Sequence, residues 1–202
     1  DVSDPANPTH AGGYDTSGFA RGVAVAGGYA YVADDSGGLV VVDVSDPANP
    51  THAGGYDTSG YAQSVAVSGG YAYVADDSGG LVVVNISDPT NPTWAGDFAT
   101  SSDSTLGVAV SGGYAYLADY NNGLVVMNVS DPANPTWVGD YVTPGYAWDV
   151  AVAGGYAYVA DGFGGLVVVD VSDPANPARA GGYDTSDSAR GVAVSGGYAY
   201  VA

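Results

Sequence analysis

The sequence predicts an all-β fold: a five-bladed β-propeller built from four-stranded antiparallel blades. Three observations carry this. First, the phrase [DN]-[VI]-S-D-P-x-N-P begins at Asp1, Asp43, Asn85, Asn128 and Asp170, at spacings of 42, 42, 43 and 42, and GGYAY begins at Gly27, Gly69, Gly112, Gly154 and Gly196. Second, each period contains four short strand-like runs split by turn residues, and none has the apolar spacing of an amphipathic helix. Third, two of those runs are apolar at successive positions, which is the pattern of a sheet buried on both faces. Small sheets stacked about an axis supply that environment, and a four-stranded repeat of about 40–45 residues fits a propeller blade. The coils of a β-solenoid are shorter.

In the first complete copy, strand a is Val23-Ala24-Val25, strand b runs from Tyr29 to Ala33, strand c from Leu39 to Val44, and strand d lies around Thr51 to Tyr56. Ala26-Gly27-Gly28 turns a into b, and Asp34 to Gly38 turns b into c. Ser45 to Pro50 joins c to d; its prolines and Asp46 exclude regular strand or helix there. The resulting single domain has blades at about 19–60, 61–103, 104–145 and 146–187, by extension of the period. A composite fifth blade takes strands a and b from Val192 to Ala202 and strand d from residues 1–18. The strand-c run LVV[VM] occurs four times whereas GGYAY and the SDP phrase occur five times, so strand c of the last blade is missing. Two expectations follow: a longer parent chain supplies the strand, or another chain donates it and the protein self-associates through the incomplete blade.

The strand-c runs LVVVD, LVVVN, LVVMN and LVVVD at Leu39, Leu81, Leu124 and Leu166, within YVADDSGGLVVVDVSDPANP, resemble the LVIVD repeat. The resemblance covers essentially the whole chain. It implies a β-propeller that is secreted or displayed at the cell surface, and it brings no catalytic residues with it.

Composition narrows the function. The basic residues are three arginines, all 22 acidic residues are aspartate, and the formal net charge is −19. Nucleic acid and anionic membranes need a basic patch, so neither is an expected partner. Cysteine is absent, which removes thiolate chemistry and disulfides. No apolar run approaches the roughly 20 residues needed to span a bilayer as a helix. Most aspartates stand beside Gly, Pro, Ser or Thr, where a short carboxylate stabilises turns.

Connectors of an antiparallel meander alternate between two ends of each blade. The a–b and c–d connectors are nearly invariant. The b–c loops read DDSGG, DDSGG, DYNNG and DGFGG, and the interblade loops differ further. Just before strand a stand Arg21, Gln63, Leu106, Trp148 and Arg190; two positions earlier stand Phe19, Tyr61, Ser104, Tyr146 and Ser188. Strand a is innermost in a propeller, so these residues ring the mouth of the channel. With Tyr120, Phe163 and Asp149 they form the expected ligand-binding face, because variable loops on a rigid scaffold carry binding. Drift at unconstrained positions is the competing explanation.

Catalysis finds little footing. His10 and His52 sit before strand d, away from that mouth. Asp149 replaces Gly or Ser in the other copies and is a candidate glycosidase carboxylate, with Asp103 and Asp187 as extra acids, but it lacks a partner carboxyl across a bond. Asp34, Asp76, Asp119 and Asp161 recur at the start of the b–c loops. Calcium takes about six to eight oxygens, so one carboxylate per blade makes calcium a minor alternative to no cofactor; turn capping is the simpler role. The expected function is a non-catalytic, extracellular binding or adhesion module for carbohydrate or peptide. A structural repeat assembling through its open edge is the alternative, and a glycosidase using Asp149 a second.

Overall fold

The computed structural model describes residues 1–101 and 104–202. Four antiparallel sheets repeat one hairpin meander. The first holds β1 (Gly22–Ala26), β2 (Tyr29–Ala33), β3 (Leu39–Asp43) and β4 (Thr51–Tyr56). The second holds β5 (Ser64–Ser68), β6 (Tyr71–Ala75), β7 (Leu81–Asn85) and β8 (Thr93–Phe98). The third holds β9 (Thr105–Ser111), β10 (Tyr114–Asp119), β11 (Gly123–Asn128) and β12 (Thr136–Tyr141). The fourth holds β13 (Asp149–Ala153), β14 (Tyr156–Ala160), β15 (Leu166–Asp170) and β16 (Ala178–Tyr183). A hairpin of β17 (Val192–Ser195) and β18 (Tyr198–Val201) follows.

The turns explain the meander. Both glycines of each GG pair between the first two strands adopt positive φ, as at Gly27 (59°) and Gly28 (82°), where a side chain is disfavoured. In the SDP connector, Asp46 accepts hydrogen bonds from the Ala48 amide and the Asn49 side chain; Asp4, Asp131 and Asp173 repeat this closure, and Asp88 accepts from the Thr90 amide and hydroxyl. The connector is thus held without help from a ladder. Each fourth strand carries one extra residue against the third, so His52 faces Val42 while Gly54 faces Val41.

The core lies between the sheets, which pack face to face in a propeller-like array. Tyr31, Leu39 and Val41 of the first sheet pack with Val65, Val74 and Val84 of the second. Tyr73, Leu81 and Val83 continue into the third, and Tyr116, Leu124 and Val126 into the fourth. Alternate residues of one strand therefore face opposite neighbours, which is why consecutive positions are apolar.

One expected strand is absent. Residues 1–21 carry no strand, although strand d of the composite blade was expected within 1–18. A strand needs a ladder partner, and no third strand lies beside this segment among the described residues. It still docks. A Cβ on Gly12 would meet the carbonyls of Pro47 and Ala48, just as one on Gly54 would meet that of Pro89 and one on Gly96 that of Pro132. Gly181, the equivalent on β16, has nothing within 4 Å.

Candidate functional site

The start of each innermost strand converges on one cavity. Arg21, Gln63, Leu106, Trp148, Asp149 and Arg190, contributed by all five copies, line about 300 Å³ together with Gly22, Val23, Ser64 and Val65. Successive inner strands lie side by side, so the equivalent residue at the start of each, whether just before the strand as Arg21 and Trp148 are or within it as Leu106 is, falls at the same height. The remaining sequence candidates divide. Tyr120 and Tyr146 join the cavity wall indirectly: their rings stack at 4.4 Å, and Tyr120 meets Trp148 edge-on at 5.2 Å. The Arg190 guanidinium lies 4.7 Å from the Trp148 ring centroid. A continuous array of Tyr146, Tyr120, Trp148 and Arg190 thus crosses from the rim to the mouth. Phe19, Tyr61 and Phe163 stand outside the cavity as exposed rim residues, Phe163 at 80%. Asp103 lies outside the described residues.

The two mouth arginines differ. Arg21 donates through Nε and Nη2 to one oxygen of Asp35, at 2.9 and 2.7 Å, and lies 5.9 Å from the Phe19 ring centroid. Arg190 forms no ion pair among the described residues and rests on Trp148 instead.

Asp149 is engaged in holding the fold. One carboxylate oxygen accepts from its neighbour Val150 and the other from the Val192 amide of the next inner strand, at 2.8 and 3.0 Å. Burial raises its pKa, and the two amide hydrogen bonds oppose the rise. The carboxylate ties the fourth sheet to the hairpin, a role that a unique acid in one copy does not announce in sequence.

The repeated aspartates also do something other than cap their own loops. Asp34, Asp76 and Asp161 are fully buried. Their carboxylates accept from Thr16, Thr58 and Thr143 and from the Gly18, Gly60 and Gly145 amides, in the connector that enters the sheet. The turn itself is closed by backbone, with Gly37 N–H donating to the Asp34 carbonyl. Turn capping by these side chains is therefore corrected to a staple between strand b and the interblade connector. The signal was present as a Thr 18 residues upstream in three copies.

Sequence reasoning passed over the outer rim. Trp94 and Trp137, on β8 and β12, are 54% and 53% exposed and line two equivalent grooves between successive sheets.

Comparison with known proteins follows the architecture. The LVIVD repeat model matches residues 1–16, 17–58, 59–100, 104–143, 144–185 and 187–202. No match emerges among the curated proteins. The crystal structure of a computationally designed protein, Ika8, superposes with a TM-score of 0.69 at 9% identity, covering 90% of this chain and 54% of that one. This chain spans about half the length of that protein, and the likeness is one of fold. Because the repeat model accounts for nearly every residue in six successive matches, the chain belongs to the LVIVD repeat family.

Proposed function

We propose that this chain is a non-catalytic binding module, built as a five-bladed ring, that takes a carbohydrate at the variable face around its central channel. The observation that carries the reading is the convergence of mouth residues from all five copies on one cavity. The array from Tyr146 to Arg190 adds aromatic surface and hydrogen-bond donors beside it, the mixture expected of a small-ligand site. An extended peptide is the competing ligand, and display outside the cell suits either. Supporting the ring, the N-terminal segment sits on the first sheet as β4, β8 and β12 sit on the sheets that follow them. The fifth blade would then comprise β17, β18 and that segment around a third strand.

Binding is tested on a glycan array with wild type, Trp148→Ala and Tyr146→Ala. The reading expects one glycan class to be retained by wild type and lost by the variants at unchanged oligomeric size. Retention unaffected by both substitutions removes the mouth as the site. Against a glycosidase stands the backbone engagement of both Asp149 oxygens.

Assembly through the open edge is a second reading, favoured by Tyr198 and Tyr200, which are 70% and 59% exposed on the terminal hairpin. It expects a sedimentation coefficient that rises with concentration and falls back in Tyr200→Glu.

A further inference from the structure

We infer that the two outer-rim grooves at Trp94 and Trp137 bind the basic side chain of an arginine- or lysine-containing peptide, independently of the channel mouth. The first groove encloses about 380 Å³ between the end of β4 and the face of β7–β8, and the second about 340 Å³ between the end of β8 and the face of β11–β12. In each, an indole and an aspartate from the same outer strand stand over a buried valine. Trp94 pairs with Val84 and Asp97 with Val82, so both project from the face that looks toward the preceding sheet. Trp137 and Asp140 take the same register positions against Met127 and Val125. In the first groove the indole Nε1 donates to the Asp97 carboxylate at 3.1 Å. That bond holds the ring by its edge.

Three observations select a cation. The charged residues lining both grooves are all aspartates, Asp57 and Asp97 in one and Asp119 and Asp140 in the other, in a molecule of net charge −19. An indole face beside a carboxylate attracts a guanidinium or ammonium group by ring quadrupole and charge together. Secondly, the pair varies as a unit. The outer strands read TWAGDF and TWVGDY where tryptophan is present, but THAGGY and ARAGGY where it is not, so aspartate appears only with tryptophan. Thirdly, the chain supplies its own cation in an equivalent position. On β16, Arg179 replaces the indole and Gly182 the aspartate; the Arg179 guanidinium lies 3.2 Å from the point where a Gly182 Cβ would stand, and its charge opposes the rise that burial imposes on the Asp161 pKa. The fourth sheet thus fills with its own guanidinium the position that the second and third leave to a ligand.

Only three tryptophans occur, so three indole N–H resonances report on three separate places. The experiment titrates 15N-labelled protein with acetyl-Gly-Gly-Arg-Gly-Gly-amide, with the Gln peptide and with methyl glucoside, at about 150 mM salt, where diffuse attraction is screened. The Trp94 and Trp137 signals are expected to move saturably with the Arg peptide alone while Trp148 stays still. Trp94→Leu with Trp137→Leu keeps the net charge and is expected to weaken binding about fivefold or more, the scale of a cation–π contact. Asp97→Asn with Asp140→Asn weakens it with both indoles still present as reporters. Equal response to the Gln peptide or the glycoside, unchanged affinity in the Leu variant, or movement of Trp148 alone overturns the inference. Glycan binding lost on mutating Trp148 bears on the mouth only, so failure of one reading is distinguishable from failure of the other.

Discussion

Thr58 donates to a carboxylate that water does not reach, and the fold depends on such single hydroxyls. In Thr58→Val, Asp76 keeps the Gly60 amide but loses its hydroxyl donor. A buried charge left short of a hydrogen bond costs about 1–3 kcal/mol, to be read as a lower urea midpoint at neutral pH. Burial raises the pKa of Asp76, Asp161 and Asp149 above the ordinary carboxylate value. For such a group the native state holds its proton over a pH range in which the unfolded chain has lost it. Its stabilising contribution is therefore complete below the unfolded pKa and is lost as pH rises through the folded one. Exposed Asp46 and Asp88 run the other way: hydrogen bonds lower their pKa, and their contribution fades as pH falls. Asp149→Asn removes one descending component. Its urea midpoint, followed upward from about pH 4, is expected to decline less steeply than that of wild type; parallel curves would show that Asp149 titrates alike in both states.

At the scale of elements, the outer strand of each of the first three sheets lies almost against the SDP connector of the next. A Cβ on Gly96 would stand 2.6 Å from the Pro132 carbonyl, so Gly96→Ala must shift backbone. The expected loss is about 1–3 kcal/mol, typical of overpacking. Gly181→Ala, with open space around it, should fall within about 0.5 kcal/mol of wild type. The comparison doubles as a measure of ring closure. A Gly181→Ala effect as large as that of Gly96→Ala means that another connector docks there in solution. The Gly80 turn shows the same economy of space: its φ is 74°, and a Cβ would stand 2.3 Å from the Phe98 carbonyl.

Over the whole molecule, the net charge of −19 is carried entirely by aspartates, most of them outside the apolar core. Self-repulsion opposes compaction and is screened by salt. Raising sodium chloride from about 20 to 500 mM is therefore expected to raise the thermal midpoint; a midpoint independent of salt would mean that the aspartates are locally neutralised. The stack also ends in unlike faces. Val23 and Val25 are 63% and 69% exposed on the first sheet, whereas Val65 and Val108, the equivalents of Val23 in the second and third sheets, are covered by the sheet before them. Removing apolar surface of this kind from water is the main force available to join such faces, whether within a chain or between chains.

Sequence alone determined the period, the four strands of each sheet and their turns, because a repeat that buries both faces leaves apolar residues at consecutive positions and glycine at most positions where φ is positive, Asp35 and Asp77 excepted. Strand b was bounded to the residue at Tyr29 and Ala33. It also indicated that Arg21, Gln63, Leu106, Trp148 and Arg190 share one level, since equivalent positions in equivalent sheets must. Tertiary structure decided the rest. Register across the extra residue in each outer strand aims Trp94 and Asp97 into one groove, while a single turn of a carboxylate commits Asp149 to the Val192 amide and Asp76 to Thr58. Those choices depend on what lies opposite, 43 residues away for Val192 and 18 for Thr58, and a periodic sequence specifies the neighbour without specifying which side chain reaches across to it.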